Sequence, residues 1–191
     1  SVKERCSTVL LSLPGPKEIE DVILGHSGIL DKDIGQISSI IDLSTNSIAG
    51  VKKANERAIS LGISYLDAPV SGGKRAAEKG ALTIMVSGDQ SCLENHRPML
   101  DAFAAKIFFM GRSGLGTLTK LINNSIFLSS AVLLQEGFVL GSKAGLGAKE
   151  ILEVLRASSA APITKIAPLT LSKNVNQNIF PLSIAEKDLA L

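Results

Sequence analysis

Tryptophan is absent from this chain, and one tyrosine with six phenylalanines brings the aromatics to only 4%. Flat side chains are too few for the stacking platforms that bind single-stranded nucleic acid. Charge is balanced as well: 20 Lys and Arg against 18 Asp and Glu leave a formal +2. So weak a field gives no argument for a nucleic-acid or anionic-membrane partner. Cys6 and Cys92 belong to no Cys-x-x-Cys pair and read as thiols of a reducing compartment, the cytoplasm or the mitochondrial matrix. His26 and His96 stand isolated, with no carboxylate or cysteine at ligand spacing, so no metal is expected. The longest apolar stretch, from Ile126 to Leu140, is interrupted by Gln135 and Glu136. It is shorter than the roughly 20 apolar residues that span a bilayer. No signal peptide opens the chain, which starts at Ser1 and reads as a processed or truncated piece.

What is present is an ordinary globular composition, 45% apolar and 20% charged, enough for a normal core. Short apolar runs alternate with helical patterns through the first 110 residues or so. Strands are expected at Thr8 to Leu13, Ser39 to Leu43, Tyr65 to Val70, Leu82 to Val86 and Ile107 to Met110, apolar on both faces as buried parallel strands are. Pro14-Gly15-Pro16 stops the first strand, and Pro16 suits a first helical turn with Glu18, Glu20 and Asp21 at its positive end. Asn46 or Ser47 can cap a helix with Val51, Ala54, Ala58 and Leu61 at helical spacing, ended by Gly62. Ser91 and Glu94 have the spacing of a capping box for a helix reaching about Ala104. Such βαβ alternation predicts an α/β fold with a largely parallel sheet. Beyond Gly111 the pattern becomes all-α: Leu115 to about Ala144 as one long helix, Ala148 to Arg156 as another, and a further helix begun in 170–191. The expected domains are therefore 1–112, part of a dinucleotide-binding (Rossmann) domain, and 113–191, an incomplete all-α substrate or dimerisation domain.

A dinucleotide-binding sheet should open with Gly-x-Gly-x-x-Gly after its first strand, so that the pyrophosphate meets a helix N-terminus. No frame fits: the one starting at Gly114 places Thr119 where the third glycine belongs. The strands read as the second half of a doubly wound sheet, with a preceding βαβαβ segment outside this chain. Half a sheet leaves an apolar edge open, and the chain alone is expected to bind a dinucleotide poorly.

Two segments carry chemistry. Asp67-Ala68-Pro69-Val70-Ser71-Gly72-Gly73 ends a strand, the location where ligands bind in open α/β sheets. Ser71 offers a hydroxyl, and Gly72 and Gly73 let backbone N–H groups approach a carboxylate as an anion nest; a plain turn is the competing reading. In Gly111-Arg112-Ser113-Gly114-Leu115-Gly116-Thr117-Leu118-Thr119-Lys120-Leu121-Ile122-Asn123-Asn124, Lys120 and Asn124 share one helix face. A lysine on an apolar helix can also simply snorkel to solvent, and Glu136 is either a surface residue or an inward polar anchor.

Taken in order, Asp-Ala-Pro-Val-Ser-Gly-Gly and then Gly-x-Gly-x-x-x-Lys-x-x-Asn-Asn resemble the β-hydroxyacid dehydrogenases of the 3-hydroxyisobutyrate dehydrogenase type. Leu13-Pro14, Asp42-Leu43-Ser44-Thr45, and Phe180 followed by Lys187-Asp188-Leu189 fall in order too, so the resemblance spans the chain. It implies NAD or NADP as cofactor, contacted by Leu13, Pro14, Thr45 and Lys187. It also implies a substrate carboxylate held by Ser71, Gly72 and Gly73, a substrate hydrogen bond from Asn124, and Lys120 as catalytic residue. Glu18 stands where the family often has asparagine. The implied reaction passes hydride between NAD(P) and a small β-hydroxy acid or its semialdehyde, in a homo-oligomer (dimer or tetramer). Free lysine, with a pKa of about 10.4, is a poor base at neutral pH, and burial or a nearby positive charge would lower it. One alternative is a 6-phosphogluconate dehydrogenase-like enzyme, which has histidine where this chain has Asn123. Another is an inactive family scaffold acting through oligomerisation. The residue that selects NAD or NADP follows the glycine fingerprint and is not in this chain.

Overall fold

The computed structural model describes residues 2–167 and 182–191; Phe180 lies outside them. Their elements run α1 (Val2–Arg5), β1 (Thr8–Leu11), α2 (Pro16–Leu24), β2 (Ser39–Asp42), α3 (Ile48–Ser60), β3 (Ser64–Asp67), β4 (Val70–Ser71), α4 (Gly73–Glu78), β5 (Leu82–Val86), α5 (Gln90–Asp101), β6 (Ala104–Phe109), α6 (Leu115–Lys143), α7 (Ala148–Arg156), a 3₁₀ turn (Ile163–Ile166) and α8 (Leu182–Ala190).

β1, β2 and β3 form a parallel sheet in that order. Every residue of β2 is buried, and strand alternation sorts its side chains to opposite faces. Ile40 and Tyr65 join one core with Ile19 and Ile23 of α2 and Val51, Ala54 and Ala58 of α3. Their neighbours Ile41 and Leu66 join another with Ile84, Val86, and Leu93 and Leu100 of α5. Helices thus cover both faces, the doubly wound arrangement expected of strands apolar on both sides. Each fully buried aliphatic side chain is worth roughly 1.5–3 kcal/mol, and this two-sided burial holds the carboxyl ends of the strands in place.

Parallelism does not extend as far as the sequence suggested. The run from Tyr65 to Val70 breaks at Ala68-Pro69, since a proline has no N–H for the ladder. The chain re-enters as β4, antiparallel to β5, while β5 and β6 are parallel. Asp67 and Ser87 form an antiparallel bridge between the two sheets. β6 begins at Ala104, earlier than the sequence suggested.

Ser47 caps α3, accepting from Gly50 N at 3.0 Å, and Gly62 (φ +71°) follows the helix in the left-handed region that favours glycine. The capping box at Ser91 and Glu94 does not form. Asp89 caps α5 instead, accepting from the amides of Ser91 (2.8 Å) and Cys92 (3.4 Å), because the helix starts at Gln90 and so Asp89 stands at the capping position while Ser91 lies inside it. His96 is not isolated either. Its Nδ1 donates to the Cys92 carbonyl (2.7 Å), leaving Nε2 against the hydroxyls of Thr8 (2.9 Å) and Ser39 (3.1 Å). It pins α5 to the entry ends of β1 and β2. No group of three or more His, Cys, Asp or Glu side chains at metal-binding distance occurs among the described residues.

By contacts the chain forms two compact units, 1–122 with 179–191, and 123–178. The composition had suggested a division near residue 112. The first turns of α6 bury Gly114, Gly116 and Thr117 in the α/β unit, which carries the boundary into the helix. In the second unit Leu134 and Phe138 pack with Ala167, Ile151, Leu152 and Leu155. α6 has 29 residues and is long and apolar enough to cross a membrane by length and composition alone. Its bounds nearly match the helix expected from Leu115 to about Ala144, with the apolar run Ile126 to Leu140 inside it. Its docked first turns belong to the α/β unit.

Candidate active site

The site is built at the carboxyl ends of β1, β2 and β3. Asp42, the last residue of β2, is 1% exposed. Its Oδ1 accepts from Ser44 N (3.0 Å) and its Oδ2 from the Tyr65 hydroxyl (2.9 Å). Burial raises the Asp42 pKa, against the lowering effect of the Ser44 and Tyr65 hydrogen bonds. The phenol of Tyr65 is pushed well above its ordinary range, by burial first and then by the adjacent Asp42. Ser44 Oγ in turn accepts from Leu13 N at 2.8 Å, so the loop carrying Leu13 and Pro14 is tied to the loop carrying Thr45.

Over this corner lies Lys187 of α8. Its Nζ donates to the Thr45 carbonyl (3.3 Å) and stands 2.7 Å from Asp188 Oδ1. Its Cδ is 3.0 Å from where a Cβ on Gly15 would stand, so a larger residue there would press on the lysine stem. Lys120, half-buried on the second turn of α6, feels the same two residues. Burial lowers its pKa, Asp188 raises it and Lys187 lowers it. The structure therefore brings Leu13, Thr45, Lys187 and Lys120 into one region.

The remaining expected residues are placed separately. Ser71 pairs with Thr83 across β4 and β5, and Gly72 (φ +127°) and Gly73 (φ +65°) hold conformations that side chains resist. Among the described residues no hydrogen bond links this turn to Lys120 or Lys187. Asn124 is buried in the second unit, its Oδ1 accepting from Asn123 Nδ2 at 3.0 Å.

Two residues that hold the start of α6 were missed. Asp67, at the end of β3, accepts through Oδ1 from Ser87 Oγ (2.6 Å) and Gly114 N (2.9 Å), and through Oδ2 from Thr117 N (2.9 Å). Ser87 Oγ accepts from Gly116 N at 2.8 Å. The only signal in the sequence was an aspartate at a strand end before the Ser-Gly-Gly turn, and nothing local indicates that it reaches α6.

A doubly wound sheet with a lysine and polar loops gathered at its carboxyl edge has the architecture of nucleotide-binding α/β proteins, and comparison with known proteins matches the chain to NAD-binding families. The NAD binding domain of 6-phosphogluconate dehydrogenase matches residues 1–111, and the family described as NAD-binding of NADP-dependent 3-hydroxyisobutyrate dehydrogenase matches 114–191. A 2-(hydroxymethyl)glutarate dehydrogenase of Eubacterium barkeri is 33% identical over 187 residues, 96% of this chain and 61% of its own length. An NAD-dependent L-serine dehydrogenase of Pseudomonas aeruginosa is 35% identical over 151 residues, 79% of this chain and 50% of its own. The structure of Mycobacterium tuberculosis 3-hydroxyisobutyrate dehydrogenase with L-serine superposes with a TM-score of 0.83 at 27% identity, over 97% of this chain and 65% of that one. The chain belongs to the β-hydroxyacid dehydrogenase family, of the 3-hydroxyisobutyrate dehydrogenase type. The family's cofactor is NAD or NADP. The chain spans 50% to 65% of the length of these three relatives.

Proposed function

We propose that the protein interconverts a small β-hydroxy acid and its semialdehyde, with Lys120 as general acid/base. The observation that carries this reading is the half-buried Lys120, whose pKa is lowered chiefly by burial, at the carboxyl edge where such sheets bind ligands. NAD(P), when bound, accepts or returns the hydride. The fit is supported by the corner itself: Ser44 ties the Leu13 loop to the strand end, and the Lys187 stem packs closely against Gly15. Leu13, Pro14, Thr45 and Lys187 would hold the cofactor. In oxidation, a neutral Lys120 amine takes the hydroxyl proton as the carbinol C–H bond breaks, leaving a carbonyl and an ammonium. In reduction, the ammonium returns that proton to the developing alkoxide.

Ser71, Gly72 and Gly73 would bind the substrate carboxylate and Asn124 a substrate oxygen, contributing orientation more than chemistry. The free thiols Cys6 and Cys92 support a reducing compartment, cytoplasm or mitochondrial matrix. Ile126, Val132, Leu133 and Leu140 stand exposed on α6, which supports a homo-oligomer. In the full-length protein, Lys120→Ala should lower kcat by roughly 10²–10⁴-fold while binding of NADH or NADPH persists. Unchanged turnover would remove Lys120 from the chemistry.

A further inference from the structure

We propose that Asp67, backed by Ser87, is a positioning residue that seats the N-terminus of α6 on the ends of β3 and β5 and so fixes where Lys120 stands. The inference rests on the reading of Lys120 as acid/base and adds a residue to that site. Asp67 is 1% exposed and Ser87 is fully buried. Their backbones bridge, Asp67 N to Ser87 O at 3.1 Å and Ser87 N to Asp67 O at 2.8 Å, so both residues are anchored by their main chains at the sheet junction. From that fixed point two side chains receive the amides of Gly114, Gly116 and Thr117, which belong to the unpaired N–H groups of a helix start. The Ser113 hydroxyl adds a longer contact to Asp67 at 3.4 Å. A carboxylate is the favoured partner there, because it meets the positive end of the helix dipole and makes charge-assisted bonds.

Shape points the same way. A Cβ on Gly116 would run into the Met85 carbonyl and lie 2.8 Å from the Asp67 carbonyl. The helix therefore approaches the strand ends as closely as backbone allows. Thr117 is held by Asp67 Oδ2, and Lys120 follows three residues later, on the same face of the helix. A tilt or slip of the first turn would displace the amine, and misplacement of a reacting group by about 1 Å can cost about 10²-fold in rate.

The test is Asp67→Asn in the full-length protein, with Lys120→Ala beside it. Asn keeps one oxygen but presents an amide nitrogen to one of the N–H groups now bonded. The inference expects amide exchange at Gly114, Gly116 and Thr117 to quicken by about tenfold or more, with Ile40 and Ile41 of β2 unchanged. It expects kcat to fall by about 10–100-fold with KM nearly constant, and the NMR titration of the Lys120 side chain to shift. If Asp67→Asn does not fold, Ser87→Ala takes the same measurements. Unchanged exchange, kcat and Lys120 titration would overturn the inference, as would loss of protection throughout the sheet with kcat per folded molecule intact. Those outcomes are separable from failure of the functional reading, which shows only as turnover surviving Lys120→Ala.

Discussion

Lys187 Nζ lies 2.7 Å from Oδ1 of its sequence neighbour Asp188, and the two bear on Lys120 with opposite sign. Adjacent helical residues project roughly 100° apart, so the pair meets only because the lysine side chain turns back, held also by the Thr45 carbonyl. The acidity of Lys120 is thus set by burial first and trimmed by two charges on another helix.

That arrangement fixes the direction of two substitutions. Lys187→Met removes a repelling cation and should raise the Lys120 pKa, moving the ascending, acidic limb of the oxidation profile to higher pH. Asp188→Asn removes a favourable anion and should move the limb to lower pH. Log kcat against pH for both variants checks this, and shifts in the same direction would contradict the placement of the pair.

The buried Asp42 gives a stability prediction with an unusual sign. Its pKa is raised on folding, chiefly by burial, so the folded state holds its proton more tightly than the unfolded chain. Its contribution is most favourable below the ordinary carboxylate range and is lost as pH rises from there through the folded pKa. Asp42→Asn keeps an acceptor for Ser44 N and cannot ionise. The variant should show a flatter stability–pH curve across that window in urea unfolding, and a curve as steep as the parent's would exclude Asp42 as the source.

Gly116→Ala would place a methyl against two main-chain carbonyls, Met85 and Asp67. Helix propensity favours alanine by about 1 kcal/mol, yet overpacking against backbone costs typically about 1–3 kcal/mol. The crowding should prevail because neither carbonyl can swing away as a side-chain tip would. A net loss of stability in thermal unfolding is expected, and a gain would mean that the helix start stands farther from the strands.

How far the sequence carried depended on range. Ile40, Ile41, Tyr65 and Leu66 are each apolar, and that run sufficed to expect a strand covered on both faces, because burial acts on neighbours in the chain. Lys120 and Lys187 became visible only through the order of motifs along the chain. The polar contacts were hidden for another reason. Asp67 meets Gly114 across 47 residues and His96 meets Thr8 across 88; no periodicity records a partner that far away. Pro69 was read inside a strand because its neighbours are apolar, whereas its missing N–H ended the ladder there.

Tyr65 is the one tyrosine in a chain without tryptophan, and its hydroxyl donates to the Asp42 carboxylate in the middle of the sheet. All near-ultraviolet tyrosine signal from these residues therefore comes from one spot at the floor of the proposed cofactor corner. A phenol bonded to a carboxylate emits weakly, and release of that bond on unfolding should brighten it. Tyrosine emission from these residues would therefore report on this sheet.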